Sequence, residues 1–421
     1  MFGSPIAILG LGYVGLPLAA GLARAGNEVV GFDLDERVID GLSQGNSHIQ
    51  DISDGELAEA ISAGLRFTSS GSEIQGFGAY IICVPTPLAE SGYPDLSFVE
   101  QAGALIASQM RSGSLVVLES TTYPGTTDEL LRPILESGSG LKAGIDFCIS
   151  FSPERIDPGN PEFKVTNTPK VVGGYQACCL EAAASIYTEL GIEVVRAKGL
   201  REAELSKLLE NTYRHINIAL VNEMVKFCNP LGIDLHDAIR CAATKPFGFQ
   251  AFYPGPGVGG HCIPIDPNYL SYRVRSELGY AFRFVELAQE INASMPSYVV
   301  TRLQDELNEH SLSLKGSRVL VAGVTYKADV PDERESPAVP IAEILINRGA
   351  IVSYLDPYVG NWQIQGSQIA RVIQGSLEGG QFDAVVLLQS HTDFDALDFE
   401  SLAPVVLDTR GSLQGAAIKR L

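Results

Sequence analysis

Positive charge is scarce in this chain. Its 421 residues include 30 Lys and Arg against 50 Asp and Glu, which gives a net charge of −20 at pH 7. Nucleic acid and anionic membranes repel such a polyanion, so the composition argues against both as the main partner. Small anionic ligands are not excluded, because a few local Lys, Arg and backbone N–H groups can hold them.

Long apolar runs and paired cysteines are also missing. The longest apolar stretches have the length of a strand and are too short to cross a bilayer. The opening residues, MFGSPIAILGLGYVG, enter a strand almost at once and lack the features of a signal peptide. Seven cysteines without a C-x-x-C pair suit reduced thiols. We therefore expect a cytoplasmic protein that is not inserted in a membrane.

The order of predicted elements indicates an α/β fold. Apolar runs at residues 6–9, 29–32, 81–84, 115–118 and 147–150 alternate with helix-length segments, which predicts a parallel sheet covered on both faces. From Arg201 to Cys228 a segment without Gly or Pro predicts one long helix, and the Gly/Pro-rich stretch FYPGPGVGGHCIPIDP predicts a shaped loop. At Arg318 the alternation restarts, so the chain reads as α/β, then helical, then α/β.

A glycine motif after the first predicted strand points to a dinucleotide. Gly10, Gly12 and Gly15 form G-x-G-x-x-G between a strand and a helix. Such glycines permit a tight turn, close approach of a diphosphate to the helix N-terminus, and close packing of helix on strand. Asp33 ends the next strand, where it can accept from both ribose hydroxyls and repel a 2′-phosphate. A glycine turn without a ligand is the alternative; the sequence favours NAD over NADP.

Cys262 is the candidate nucleophile. It lies in GGHCIPID, which starts at Gly259 and ends at Asp266, and the glycines there allow close approach of a ligand. A thiolate can attack the aldehyde that an alcohol oxidation produces. Two alternatives stay open: a buried structural thiol, or a zinc ligand together with His261. With six histidines and no paired cysteines a complete tetrahedral site is hard to assemble, so we expect no metal.

Three further polar residues are candidates for the reaction. Lys207 and Asn211 are four residues apart in the long predicted helix and project from one face, where they could stabilise an oxyanion. A solvated helix face is the alternative. Glu154, in SPER, follows a predicted strand, which is a usual place for an active-site residue in α/β proteins. Its alternative is a surface salt bridge with Arg155.

Taken in order, these motifs resemble the UDP-glucose/GDP-mannose dehydrogenase family, the nucleotide-sugar 6-dehydrogenases, over essentially the whole chain. The matching segments are GLGYVGLP at the start, VPTP at 84–87, ESTTYPGTT from Glu119, SPER, the Lys207/Asn211 helix, GGHC, and VTYKADVPDERESP in the last domain. The resemblance implies two Rossmann-like domains with parallel sheets, joined by a long central helix and a helical dimerisation region. It divides the chain into an NAD-binding domain (1–200), a central helical domain with the catalytic loop (201–310) and a UDP-sugar-binding domain (311–421).

The resemblance also implies a four-electron oxidation that consumes two NAD and converts a sugar 6-CH₂OH group to a carboxylate. In this scheme Cys262 adds to the aldehyde, and a second hydride transfer leaves a thioester that water hydrolyses. Lys207 and Asn211 would stabilise the oxyanions, while Asp266 would help to activate water or orient Lys207. Glu154 would be the base for hydrolysis.

Further contacts follow from the matched motifs. Thr121 would hold a catalytic water or contact the nicotinamide region, and Lys327 and Arg410 would hold the diphosphate of the substrate. Besides the three glycines and Asp33, the implied cofactor contacts are Tyr13, Val14, Arg37, Pro85, Thr86, Thr121, Glu154 and Arg334. The implied substrate contacts are Glu154, Arg155, Lys207, Asn211, Phe252, Gly259, Gly260, Lys327 and Arg410. A homodimer or higher homo-oligomer is expected.

Two departures separate this chain from the pattern typical of UDP-glucose enzymes. Ile265 stands where those enzymes carry Lys, and Pro158 occupies the offset of a further acid. The segment PFGFQAFYPGPGVGGHCIPIDPNYL is closer to the branch that acts on UDP-N-acetylhexosamines, most of all UDP-N-acetylglucosamine. UDP-N-acetylmannosamine, UDP-N-acetylgalactosamine and UDP-glucose stay open, because one epimer changes pocket contacts only slightly. A dehydrogenase that stops after one hydride, and a sensor that has lost catalysis, are the competing hypotheses.

Overall fold

The computed structural model describes residues 3–49, 51–89, 93–155, 167–260 and 263–421. The chain divides into two compact units, the first formed by Met1–Glu210 with Asn268–Tyr280 and the second by Asn211–Pro267 with Ala281–Leu421. In chain order the helices are α1 (Gly15–Arg24), α2 (Glu36–Ser43), α3 (Asp54–Ser62), α4 (Ser97–Gln109), α5 (Arg132–Ser139), α6 (Ala177–Glu189), α7 (Leu200–Cys228), α8 (Leu235–Ala243), α9 (Asp266–Leu278), α10 (Arg283–Glu309), α11 (Ala338–Asn347) and α12 (Phe399–Leu402).

The first unit is built on a sheet with the strand order β3-β2-β1-β4-β5-β6-β7-β8. Its strands are β1 (Ile6–Leu9), β2 (Val29–Phe32), β3 (Arg66–Thr68), β4 (Ala79–Ile82), β5 (Leu115–Leu118), β6 (Cys148–Phe151), β7 (Lys170–Gly174) and β8 (Val194–Arg196). Every residue of β1, β2, β4 and β5 is buried, because helices cover both faces. This double burial explains the continuous apolar runs by which the sequence revealed these strands.

The strand prediction fails where the apolar signal is weak. The short strands β3, β7 and β8 contain charged residues or glycine and were not predicted. β4 ends at Ile82, two residues earlier than predicted, so Cys83 and Val84 belong to the loop that follows. The sheet also departs from a fully parallel arrangement, since β7 runs antiparallel to β6 while the other described neighbours are parallel.

The second unit repeats the plan. Its main sheet has the order β13-β10-β9-β14-β15-β16 and is parallel throughout the described pairs. The strands of this unit are β9 (Arg318–Ala322), β10 (Ile351–Leu355), β11 (Gln363–Ile364), β12 (Ser367–Gln368), β13 (Ala370–Arg371), β14 (Ala384–Leu387), β15 (Val405–Asp408) and β16 (Ile418–Arg420). The predicted fold class, α/β with two Rossmann-like sheets, is confirmed.

Both units close the turn after their first strand in the same way. In the first unit, Leu11 N donates to Asp33 Oδ2 at 2.9 Å; in the second, Val324 N donates to Asp356 Oδ2 at 2.7 Å. Each aspartate follows the second strand of its sheet. The restart of the pattern at Arg318 therefore reflects a true structural repeat, down to the carboxylate that anchors the turn.

The central helices agree with the prediction except at one boundary and at α8, which was not predicted. α7 has 29 residues and contributes its first part to one unit and the remainder to the other. The predicted loop was extended through Pro267, but α9 already begins at Asp266. Proline is tolerated there because the first turn of a helix leaves its backbone N–H groups without intrahelical partners. Within the described ranges, no helix combines the length and apolarity that crossing a membrane requires.

Candidate active site

The glycine turn of the first unit has one open position and two packed ones. A Cβ atom on Gly10 would lie 2.8 Å from Cys83 O, and one on Gly15 would lie 1.9 Å from Gly10 O. Gly10 also has φ +92°, which L side chains rarely adopt. A Cβ atom on Gly12, in contrast, would meet nothing within 4 Å. The fold itself thus requires the first and third glycines, whereas the second leaves room for a ligand.

The start of α1 offers its backbone to that open space. Tyr13 and Val14 lie in the turn before the helix, and Val14, at the N-cap, makes no side-chain capping hydrogen bond within the described part of the chain. The first N–H groups of a helix lack intrahelical acceptors, and an anion such as a diphosphate can satisfy them. The open Gly12 and the uncapped helix therefore fit the diphosphate of a dinucleotide.

Asp33 lies beside this turn at the end of β2. Its Oδ2 accepts from Leu11 N and its Oδ1 accepts from Asp35 N at 3.0 Å, so the backbone fixes the orientation of the carboxylate. Arg37, a predicted cofactor contact, is almost fully exposed and donates to both oxygens of Asp35, at 3.0 and 2.7 Å. The Arg37 guanidinium lowers the pKa of Asp35 to about 2. The role of Arg37 toward the cofactor stays a prediction.

Pro85 and Thr86 lie in the loop after β4. The hydroxyl of Tyr269, on α9, donates to the backbone oxygen of Thr86. The hydroxyl of Ser120 donates to Val84 O at 2.7 Å. The loop after β4 is thus held both by α9 and by the segment after β5, which are parts of the same unit.

Thr121 and Lys207 meet in the first unit. Lys207 Nζ, on α7, donates to Thr121 Oγ1 at 2.5 Å, and both residues are half-buried. Thr121 follows β5, so the hydrogen bond links the carboxyl end of the sheet to the long helix. Both residues were predicted from the sequence as candidates, whereas the hydrogen bond between them is seen only in the structure.

Glu204, one turn before Lys207 on α7, was not predicted. It is 1% exposed, and its carboxylate accepts from Gly125 N at 2.6 Å, Thr127 N at 2.9 Å and Thr127 Oγ1 at 2.7 Å. Burial raises the pKa of Glu204 to about 7, against the opposing effect of these hydrogen bonds. Glu204 therefore fixes the loop after Thr121 to the helix that carries Lys207.

Glu154 belongs to a buried charge cluster that includes Glu119 and Lys170. Lys170 Nζ donates to Glu119 Oε2 at 2.8 Å and to Glu154 Oε2 at 3.0 Å. The alternative considered from the sequence, a salt bridge between Glu154 and Arg155, is wrong. The side chain of Arg155 pairs with Glu210 at 2.7 Å, and only its backbone N–H donates to Glu154.

The pKa values of Glu119, Lys170 and Tyr187 are all raised, for different physical reasons. Burial raises the pKa of Glu119, and the Lys170 ammonium offsets part of that rise. Burial alone would lower the pKa of Lys170, but the two carboxylates raise it above its ordinary value. Burial likewise raises the pKa of Tyr187, whose hydroxyl donates to Glu119 Oε1 at 2.5 Å. Glu119 stood in a quoted motif, yet Lys170 carried no sequence signal.

In the second unit, Asn211 binds Asp266. Asn211 Nδ2 donates to Asp266 Oδ2 at 2.6 Å, and Asp266 is 3% exposed at the start of α9. Asn211 was expected to donate to an oxyanion, and one of its N–H groups is thus already engaged by Asp266. Cys262 and His261 lie outside the described residues.

The predicted substrate glycines pack against protein. A Cβ atom on Gly259 would lie 2.7 Å from Glu335 O, and one on Gly260 would lie 2.8 Å from the ring of Tyr326. Gly260 has φ +85°. The two glycines were expected to admit a ligand. The structure shows a second reason for glycine at these positions, because a side chain there would collide with the segment around Tyr326 and Glu335.

Arg410 is the basic side chain of this unit that best suits an anion. It follows β15 and is half-buried, and its Nε donates to Leu388 O at 2.7 Å. Across the described residues its guanidinium forms no ion pair, and burial lowers the pKa of Arg410 to about 10. A guanidinium held by a carbonyl but not by a carboxylate can accept an anionic partner.

The remaining predicted residues are more exposed or serve local contacts. Arg334 pairs with Asp332 at 2.7 Å, and the backbone oxygen of Lys327 accepts from Thr325 Oγ1 at 2.8 Å. Phe252 packs edge-on against Tyr213, with ring centroids 5.8 Å apart. The structure leaves the cofactor and substrate roles of these residues as predictions.

Comparison with known proteins decides the family. Models of the UDP-glucose/GDP-mannose dehydrogenase family match three segments: the NAD binding domain at residues 4–191, the central domain at 201–294 and the UDP binding domain at 320–415. The chain belongs to this family. It is therefore an NAD-dependent nucleotide-sugar 6-dehydrogenase, and the family and cofactor predicted from the sequence are confirmed.

Individual relatives agree over nearly the full length. UDP-N-acetyl-D-glucosamine 6-dehydrogenase of Pseudomonas aeruginosa is 35% identical over 398 residues, 94% of this chain and 93% of that protein. UDP-N-acetyl-D-mannosamine dehydrogenase of Pyrococcus horikoshii is 34% identical over 416 residues, 97% of this chain and 96% of that protein. A solved structure of a UDP-D-ManNAc dehydrogenase from Pyrococcus horikoshii aligns with a TM-score of 0.89 at 33% identity, covering 99% of this chain and 98% of that one.

Proposed function

We propose that the enzyme oxidises the 6-hydroxymethyl group of UDP-N-acetyl-D-glucosamine to a carboxylate in two NAD-dependent steps. Ile265 and Pro158, which depart from the UDP-glucose pattern, support an N-acetylhexosamine substrate. The similarity to the Pseudomonas aeruginosa enzyme supports the glucosamine epimer. UDP-N-acetyl-D-mannosamine is the second candidate, because a relative that bears that name is almost equally similar.

The first unit supplies the proposed cofactor contacts. The N–H groups at the start of α1 and the open space at Gly12 would hold the diphosphate, and Asp33 would accept from the ribose hydroxyls. When bound, NAD accepts one hydride in each of the two oxidations. A 2′-phosphate beside the Asp33 carboxylate would be repelled, which favours NAD over NADP.

The observation that carries the proposal is the hydrogen bond between Lys207 and Thr121. An ammonium held 2.5 Å from a threonine hydroxyl at the carboxyl end of the sheet has the position and charge to stabilise an alkoxide or to fix a water. Asn211, oriented by Asp266, is the proposed second oxyanion donor. In the proposed scheme Cys262, outside the described residues, adds to the aldehyde and carries the thioester.

Hydrolysis of that thioester is assigned to Glu154. Its carboxylate is oriented from two directions, by the Lys170 ammonium at 3.0 Å and by the Arg155 backbone N–H at 2.7 Å. A general base that is fixed in this way does not need to be reoriented for each turnover. In the second unit Arg410, whose guanidinium has no carboxylate partner among the described side chains, is the proposed contact for the UDP diphosphate.

A homodimer forms part of the proposal. Large apolar side chains of the second unit are exposed on and near α7 and α8: Tyr213, Leu220, Phe227, Leu231, Phe247 and Phe249. Apolar surface of this kind is typical of regions that become covered on association. Light scattering should then give twice the 45.0 kDa of the chain. A monomer at micromolar concentration would contradict this part.

The test of the proposed function is the amount of NADH formed per sugar nucleotide, with NAD in excess. UDP-N-acetylglucosamine, UDP-N-acetylmannosamine, UDP-N-acetylgalactosamine and UDP-glucose are each supplied in limiting amount. A ratio of about two with UDP-N-acetylglucosamine, lost in Cys262→Ser while the sugar nucleotide still binds, is the expected result. A ratio near one would show that the aldehyde leaves. Turnover of another sugar alone would overturn the substrate and keep the mechanism.

A further inference from the structure

Three cysteine side chains meet at the end of the first sheet where β6 begins. Cys148 begins β6, and Cys178 and Cys179 lie in the first turn of α6. Their three Sγ atoms all lie within 4.8 Å of one another, with Cys179 buried, Cys148 half-buried and Cys178 exposed. The neighbouring pairs β1·β4, β4·β5 and β5·β6 are all parallel, so β1 and β6 run in the same direction. The start of β6 and the glycine turn after β1 therefore lie at opposite ends of the strands.

The helix that carries two of the three cysteines begins beside them. α6 has 13 residues, and Cys178 and Cys179 are its second and third residues. The positive end of a helix dipole stabilises thiolates in the first turn. Cys179 is fixed through its backbone oxygen, which accepts from Ser150 Oγ at 2.9 Å.

We propose that Cys148, Cys178 and Cys179 bind one thiophilic divalent cation of the Zn²⁺ class through their three sulfurs. Sulfurs bound to one Zn²⁺ at about 2.3 Å lie roughly 3.8–4.0 Å apart, which small side-chain rotations reach from the arrangement present here. In the described part of the chain no other trio of His, Cys, Asp or Glu side chains comes close enough to hold a metal.

The ligand set defines the kind of ion. Three thiolates select soft or borderline cations and discriminate against Mg²⁺ and Ca²⁺, which prefer oxygen. Exposed Cys178 leaves the fourth coordination position to solvent. A metal bound by these three cysteines would link α6 to β6. It would take no part in hydride transfer, because it lies at the opposite end of the strands from the glycine turn. The proposal therefore stands apart from the sugar nucleotide oxidation.

The experiment uses the full chain with Cys262→Ser, so that the proposed catalytic thiol cannot contribute. The reduced, metal-free protein is titrated with Co²⁺, whose thiolate charge-transfer band counts sulfur ligands, and Zn²⁺ is then added in competition. We expect one equivalent of Co²⁺, displaced by Zn²⁺. Cys178→Ser should weaken binding by at least the roughly 10–100-fold that is typical for loss of outer-shell partners. Because Cys178 is exposed, this variant should fold, and retained NAD binding checks that it does.

Cys241→Ser is the matched control, since Cys241 is an exposed cysteine on α8 of the second unit. It should leave both the band and the affinity unchanged. Cys148→Ala should reduce the band as Cys178→Ser does. Absence of any thiolate band in the reduced protein, or an equal loss in Cys241→Ser, would overturn the proposal. So would a band that survives both Cys178→Ser and Cys148→Ala.

Discussion

Glu204 should make the stability of the protein depend on pH in a way that one substitution removes. Burial raises the pKa of Glu204 from 4.5 to about 7. At about 1.4 kcal/mol per pKa unit, this rise corresponds to a pH-dependent contribution of ~3 kcal/mol to the free energy of unfolding. Since the folded pKa is the higher one, the stabilisation is fully present below about pH 4.5 and is lost as the pH rises through about 7.

Glu204→Gln removes the ionisable carboxyl group and keeps the shape of the side chain. The amide oxygen can still accept one set of hydrogen bonds, but its NH₂ group must face a donor, either Gly125 N or Thr127 N. This mismatch costs about 1–3 kcal/mol. The variant should therefore be less stable than the wild type at pH 5. At pH 8.5, where the wild type has lost its ~3 kcal/mol, the variant should equal or exceed it.

The assay is the thermal unfolding midpoint of both proteins between pH 5 and 8.5 at constant salt. For a unit of this size 1 kcal/mol shifts the midpoint by about 2–4 °C, so the difference between the two proteins should change by roughly 6–12 °C over the series. Glu202→Gln, at an exposed glutamate on the same helix, is the control and should follow the wild type. Parallel pH dependences of the wild type and Glu204→Gln would show that burial does not raise the pKa of Glu204 in the folded protein.

Three further predictions test the cofactor turn and the charge cluster. Gly12→Ala, where the new Cβ meets no protein atom, should change the free energy of unfolding by no more than about 1 kcal/mol but raise the KM for NAD. Gly15→Ala should fail to fold. The same KM and the same circular dichroism spectrum for both variants would contradict this distinction. Lys170→Met should lower the free energy of unfolding by about 3–5 kcal/mol at pH 8, because it leaves buried carboxylates uncompensated. This loss of stability should become smaller as the pH falls through the raised pKa of Glu119. A loss that does not change with pH in denaturant unfolding would refute the prediction. Asp33→Asn should narrow the preference in kcat/KM for NAD over NADP, and an unchanged ratio would show that Asp33 does not select the cofactor.

The sequence determined what depends on neighbours along the chain. Continuous apolar runs predicted the buried strands, since a strand covered on both faces shows its burial at every residue. The spacing of Gly10, Gly12 and Gly15 and the position of Asp33 predicted the cofactor turn, because that turn is a local strand–turn–helix unit. The restart at Arg318 predicted the second sheet in the same way. Ordered motifs along the whole length then pointed to the family.

Only the tertiary structure decided which distant side chains meet. Glu119 follows β5 and Lys170 begins β7, two strands that β6 separates in the sheet. Glu204 reaches the loop after Thr121 from a helix much later in the chain. No periodicity of two or 3.6 residues encodes such contacts, because they depend on strand order and on the packing of helices against the sheet. The same holds for Cys148, which the reversal of β7 brings next to the start of α6. Local pattern thus sufficed for the elements and the glycine turn, whereas the buried charges and the three convergent thiols required the fold.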